Sequence, residues 1–409
     1  MRRAVYLYIM LAGFFVSCVK EDGDVEVARN NSGVVEQTTI MYFMGTQLKS
    51  GYFDVYNIPD SQKAVAAGAL GGNGRLLIFA PGYSSATLYE VYRTSDGYST
   101  ETIATYTDGY EYKSSSLTQE YIVDVISKSK DFAPANTYNI IFSGHGTGWV
   151  LQSHPYLKSV DSSYVDWDMM GSGEVVTRFM GCSTDGYMEI EELSEALEST
   201  GTKYGYLLFD MCLMSNIETL YELKDVCDNI IASPTEVMGY GFPYQTVLPA
   251  LFSEDGASAD CAAACYAYYD YYSNLSSAPS ATVAWCVTSK LEELAQKMKQ
   301  INDAGVNKVD IDDIQCYENL SSNVFCDLGE YVKEASTSSA LLEEFESVLG
   351  EAFPDSGIYH TTSFCSTLRT SYGEWIDIDY FSGVSTSEPS EKFQDDWVQT
   401  SWAVATAAE

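Results

Sequence analysis

Thr137-Tyr138-Asn139-Ile140-Ile141-Phe142-Ser143-Gly144-His145-Gly146 and Tyr206-Leu207-Leu208-Phe209-Asp210-Met211-Cys212 decide how this chain reads. Each is an apolar run of strand length that ends on a reactive side chain. Such runs suit parallel strands buried on both faces, where successive side chains meet apolar neighbours above and below. In open parallel sheets, chemistry gathers at the carboxyl ends of the strands. One strand end here carries a histidine and the other a cysteine, the minimum set for a thiol nucleophile with an imidazole base.

Outward from these two strands, helix and strand patterns alternate. Thr39 to Met44 and Arg75 to Ala80 read as strands, with a helix from Val55 to Ala69 between them. Leu88 to Tyr92 and Glu101 to Tyr106 alternate in period two, like an antiparallel pair. Leu117 to Lys130 reads as helix before the histidine strand, and Ile190, Leu193 and Leu197 recur at helical spacing before the cysteine strand. A helix from Leu213 to Leu223, a strand from Asn229 to Ser233 and one more core strand from Thr282 to Val287 follow. The predicted fold is α/β, with a mostly parallel sheet flanked by helices. Its core spans residues 39–290, and a more helical C-terminal region, 291–409, packs on it. Gly383 to Ser390 reads as a loop. Between the two key strands, Thr147 to about Thr184 shows no period, in the place of a lid or a processing segment.

The first residues carry a different signal. Met1-Arg2-Arg3 precedes an apolar run from Ala4 to Val16, then Ser17-Cys18. A positive start, a short apolar stretch and a small residue before the break read as a secretory signal over residues 1–17. Phe15-Val16-Ser17-Cys18 resembles a bacterial lipobox, which makes Cys18 the lipidated first residue of the mature protein. Residues 18–38 are polar and acidic and read as a tether. They resemble the surface-export signals of Bacteroides-type lipoproteins. The expectation is secretion across the inner membrane and an outer-membrane lipoprotein on the cell surface, held to the membrane by its lipid.

Lys plus Arg number 22 against 58 Asp plus Glu, a net charge of −36. Such a surface repels nucleic acid and anionic lipid, so nucleic acid is not an expected partner. With 32 tyrosines and 17 phenylalanines, the chain is not a disordered acidic tail. Ten cysteines and only three histidines show no zinc spacing, and no metal ligand set is read from them. Asp185-Gly186-Tyr187-Met188 with Glu192 looks like the end of a calcium loop, but Gly181 and Ser183 supply no carboxylates.

A lone cysteine after a strand is ordinarily a packed core residue. A histidine between two glycines at a strand end is harder to explain by packing, and the two together point to acyl transfer. A neighbouring imidazole takes the thiol proton or pairs with the thiolate. Without a side chain at Gly146, its backbone N–H can approach a substrate carbonyl. That N–H and the one of Cys212 are candidates to stabilise an oxyanion.

At this point the residues resemble a known family. Gly144-His145-Gly146-Thr147-Gly148-Trp149 is similar to the histidine motif of the clostripain family of cysteine peptidases, and Phe209-Asp210-Met211-Cys212-Leu213-Met214 to its cysteine motif. The likeness runs on through Met188-Glu189-Ile190 and Ile231-Ala232-Ser233-Pro234-Thr235-Glu236. The resemblance implies a caspase-like sheet, a protein or peptide substrate, His145 as base and Cys212 as nucleophile. It places Asp210, Ser233 and Tyr240 against the substrate. Asp210 matches an acid that holds a basic side chain, whereas Tyr240 stands where a second acid is expected, and Met211 replaces the usual alanine. Relatives are often cut between the two motifs, which here offers Arg178 and Lys158, with Arg178 favoured. The chemistry requires no cofactor, and calcium enters through the family resemblance alone. Two other outcomes fit the same motifs: a catalytically decayed surface binding or adhesion protein, and a peptide ligase.

Overall fold

The structure is a computed structural model and describes residues 33–44, 53–72, 74–111, 114–150, 187–252, 259–277, 279–318, 323–368 and 373–408. The signal segment, Cys18, most of the tether, His154, Lys158, Arg178 and Cys182 lie outside the described residues.

The centre of the molecule is a sheet built from β1 (Val35–Phe43), β2 (Gly74–Pro81), β3 (Ala86–Thr94), β4 (Gly97–Tyr106), β5 (Ala135–Ser143), β6 (Leu207–Asp210), β7 (Asn229–Ala232), β8 (Thr282–Val287) and β10 (Ile358–His360). The order among the described residues is β10-β8-β7-β6-β5-β1-β2-β3-β4. β7, β6, β5, β1 and β2 are parallel, and antiparallel strands close both ends. β1 lies between β2 and β5, so the chain leaves it first to one side and later to the other. Crevices at the carboxyl ends beside such a switch point are where α/β sheets bind ligands.

The period-two alternation of the strands sorts the core into two layers. Ile40, Tyr42, Ile140, Phe142, Leu207 and Phe209 face one side, and Met41, Phe43, Ile141, Tyr206 and Leu208 the other. The first face is covered by α2 (Gln119–Phe132), α3 (Ile190–Ser199), α4 (Ile217–Glu222) and α7 (Leu291–Ala304); the second by α1 (Ile58–Ala67), α5 (Tyr244–Leu251) and α6 (Cys261–Ser273). α8 (Leu328–Ala335), α9 (Ser339–Ala352), α10 (Gln394–Trp397) and α11 (Ser401–Thr406) complete the helices. With both faces covered, the central strands carry apolar residues at every step, which is why their sequence runs are continuous.

Contacts group Gly33–Glu409 as one compact unit. Its last third is less uniformly helical than its periodicity implied. It supplies β10 to the main sheet, a hairpin of β11 (Ser363–Ser366) and β12 (Glu374–Asp377), and a pair of β9 (Cys326–Asp327) with β13 (Ser385–Thr386). Strands of two to four residues are too short to show a period. Cys316 and Cys326 form a disulfide. α10 and α11 are separate helices because Thr400 accepts a hydrogen bond from the Ala403 N–H and caps α11. No helix among the described residues is long and apolar enough to cross a membrane.

Candidate active site

β5 and β6 pair in parallel with Ser143 opposite Asp210 at the last paired position. His145 and Cys212 each stand two residues further on, at the same step beyond adjacent strand ends. The loops they occupy touch at Gly146. A Cβ there would lie 2.4 Å from the Cys212 carbonyl oxygen, 2.9 Å from Met214 Sδ and 3.1 Å from Met211 Cβ. The sequence reading tied this glycine to the approach of a substrate. The structure adds a second reason, since the backbone of the cysteine loop already occupies that space.

Past Cys212 the chain does not enter a helix at once, as its apolar pattern predicted. Leu213 has φ +58°. This left-handed conformation costs a bulky L-residue about 1–2 kcal/mol, and such strain clusters at functional turns. The Leu213 N–H donates to Thr235 O and the Ser215 N–H to Ser233 O, each at 3.0 Å. These bonds carry the β6–β7 pairing beyond Leu208–Ile231. Asn216 then ends the turn. Its Oδ1 accepts from the Thr219 N–H at 2.9 Å, and its Nδ2 donates to Leu213 O at 2.7 Å. Cys212 through Ser215 are spent on the turn, so α4 starts at Ile217.

Cys212 is fully buried and His145 partly so. The Val237 N–H donates to Cys212 Sγ at 3.1 Å. The Cys212 thiol in turn donates to Val237 O at 3.7 Å, so the two residues exchange a pair of contacts that fixes where the sulfur sits. Burial pushes the thiols of Cys227 and Cys286 well up, so they stay protonated at neutral pH. Cys261 and Cys265, four apart on α6, are also buried in the core.

The three residues expected to meet substrate occupy different settings. Asp210 is fully buried, and its carboxylate accepts from Ser143 Oγ at 3.1 Å, the Phe242 N–H at 3.1 Å and the Tyr244 hydroxyl at 2.8 Å. Ser233 is also buried, its hydroxyl 2.7 Å from that of Thr282 and donating to Thr235 O at 3.1 Å. Tyr240 is half-buried on the loop between Val237 and Phe242, with its ring edge-on to Tyr56 at 4.9 Å. Asp210 and Ser233 therefore hold the framework under the site, and Tyr240 is the partly accessible one.

The sequence reading missed a supporting segment. Gly383 to Ser387, read as loop, is buried against both the histidine and the cysteine loops. Ser215 Oγ donates to Gly383 O at 2.7 Å, and the Ser385 N–H donates to Ser215 O at 2.9 Å. Trp149, four residues after His145, donates from Nε1 to Ser387 Oγ at 2.8 Å. Glu218 on α4 accepts at Oε1 from Thr386 Oγ1, the Ser387 N–H and Trp397 Nε1 at 3.0, 2.9 and 2.8 Å. Burial raises the pKa of this glutamate. Small hydroxyl residues have loop composition, and no local signal marks them as buried.

Comparison with known proteins agrees with this geometry. The model of the clostripain family matches residues 54–388. A secreted C11 cysteine protease from Bacteroides thetaiotaomicron, "iotapain", is 28% identical and superposes with a TM-score of 0.75, covering 91% of this chain and 99% of that one. A clostripain from the same organism, in complex with a peptide inhibitor, is 32% identical over 56% of this chain and 100% of its own, with a TM-score of 0.51. An inactive zymogen C11 protease from Parabacteroides distasonis shares the fold at 23% identity, with a TM-score of 0.74 over 92% of this chain and 99% of that one. No protein of curated function matches the chain. The family match takes in both strand-end loops and reaches the buried segment at Gly383–Ser387, so this chain belongs to the clostripain family of cysteine peptidases.

Proposed function

We propose that the chain is a secreted, lipid-anchored endopeptidase in which Cys212 and His145 form the catalytic pair. The observation that carries this reading is the β5–β6 register, with each residue two steps beyond adjacent strand ends and Gly146 against the Cys212 carbonyl. Cys212 Sγ attacks the scissile carbonyl carbon. The C–N bond breaks, and the proton held by the His145 imidazole passes to the leaving amine. Water then attacks the thioester, His145 takes its proton, and Sγ leaves with the bond electrons. The N–H groups of Gly146 and Cys212 receive the oxyanion. Asp210 acts from beneath as a buried carboxylate, with Tyr240 at the partly open side, so a substrate cation is met by the aromatic ring with the Asp210 carboxylate below it.

The reaction uses no cofactor. Calcium dependence is tested by loss of activity on chelation and its return on adding the ion. Among the described residues, no group of three or more His, Cys, Asp or Glu side chains could hold a metal ion.

Full burial of Cys212 supports a latent form. The cut that opens it falls between Thr147 and Thr184, at Arg178 in preference to Lys158. Cys212→Ala and His145→Ala each abolish peptide hydrolysis with unchanged thermal unfolding, and Cys212→Ala keeps its intact mass on incubation if the cut is autocatalytic. Full activity in Cys212→Ala overturns the reading.

A further inference from the structure

The donor on Cys212 belongs to a loop with an unusual anchor. Val237, whose N–H meets the sulfur, follows Glu236, which is 2% exposed. Removing a carboxylate from water is costly unless strong donors replace the lost hydration. Thr367, 131 residues away, supplies two such donors. Its N–H lies 3.1 and 3.0 Å from the two Glu236 oxygens, and its Oγ1 donates to Oε1 at 2.7 Å. Thr367 directly follows β11, and the β11 segment is tied to the residues just before β8. The Cys365 N–H donates to Ser280 Oγ at 3.0 Å, and the Thr361 N–H donates to Ala281 O at 2.9 Å.

We propose that Glu236 is a positioning residue, and that the Glu236–Thr367 clamp holds the Val237 N–H against Cys212 Sγ and so keeps the nucleophile ready. This inference rests on reading Cys212 as the nucleophile. The clamp acts through geometry, because the charge of Glu236 alone disfavours a nearby thiolate. Further titratable groups around Cys212 are Asp210 on its own strand, His145 beyond β5, and Tyr206 and Tyr244 of the same core layer, while Cys365 on β11 faces Glu236.

The test is the pH dependence of alkylation at Cys212 by iodoacetamide, read by peptide mapping, in enzyme that turns over a peptide substrate. Thr367→Val removes the hydroxyl donor and leaves the Glu236 charge in place. Glu236→Gln removes the charge and turns an amide N–H₂ toward the Thr367 N–H. In both, the alkylation midpoint rises by about half to one pH unit and kcat falls about tenfold, with KM little changed. Thr367→Ser keeps both donors and restores the wild-type midpoint. A residue that only stabilises the fold would lower the unfolding temperature without moving the midpoint. An unmoved midpoint in Thr367→Val, or a lowered one in Glu236→Gln, overturns the inference. Full activity in Cys212→Ala would instead sink the nucleophile assignment, a separate outcome.

Discussion

Gly146→Ala is the perturbation that most directly tests how the two loops meet. The added Cβ would stand 2.4 Å from the Cys212 carbonyl oxygen, with Met214 Sδ at 2.9 Å and Met211 Cβ at 3.1 Å. Ordinary contact needs roughly 3.4 Å or more, so the loops must part by about 1 Å. The closest obstacle is backbone, and that backbone is held by the Leu213–Thr235 bond and the Asn216 cap, so it cannot swing aside as a side chain would. Overpacking of this kind costs about 1–3 kcal/mol of stability. The effect on rate is larger, because a misplacement of about 1 Å between reacting groups costs about 100-fold. The assay is kcat/KM on a peptide substrate beside a thermal melt. Gly144→Ala is the milder control, since its Cβ meets Met44 Cβ and O at 3.1 Å and touches the cysteine loop only at Met211 Cε, at an ordinary 3.7 Å. We expect Gly146→Ala to lose about 100-fold in kcat/KM while its melting temperature falls by only several degrees. Wild-type kcat/KM in a folded Gly146→Ala protein would refute the argument that this contact sets the distance between His145 and Cys212.

Stability depends on pH through buried acids: burial pushes Glu318 and Glu388 each up to about 7. Both lie above the unfolded value, so the folded state holds protons that the unfolded chain releases. Their contribution is fully present below about pH 4.5 and is lost as pH rises to about 7. The melting temperature should therefore fall across that window, and Glu318→Gln should flatten the fall; an identical slope in the variant would remove Glu318 as a source. Cys227→Ala and Cys286→Ala should each keep most of the peptidase activity and lose about 1–3 kcal/mol of stability to small cavities, measured by denaturant unfolding. Cys18→Ser should move the protein from the membrane fraction to the soluble one, because one apolar chain binds a bilayer only marginally and stable anchoring takes more than one. If Cys18→Ser fractionates like wild type, the lipobox reading fails.

The residues of the centre were legible in the sequence because their constraints are local. Ile140-Ile141-Phe142 and Leu207-Leu208-Phe209 must be apolar at every step when helices cover both faces, and strands that end on His145 and Cys212 place those groups at the carboxyl edge whatever surrounds them. The helical character read for the region from residue 291 onward is clearest in α7, Leu291–Ala304, since fourteen residues give helical periodicity room to show. Other features arose only when distant segments met. The turn at Leu213 has no glycine to announce it and is held by Thr235 O from the next strand. Gly383 to Ser387 has the composition of a loop, yet it is buried because Ser215, Glu218 and Trp149 bond to it from 168 to 238 residues away. Asp210 matched an acid that meets substrate, but Ser143, Phe242 and Tyr244 converge on it only in the folded chain. Sequence periodicity reports which face of an element is buried. Which hydroxyl or N–H meets a buried carboxylate depends on the register of neighbouring strands and the course of the loops between them, and only the tertiary structure decides that.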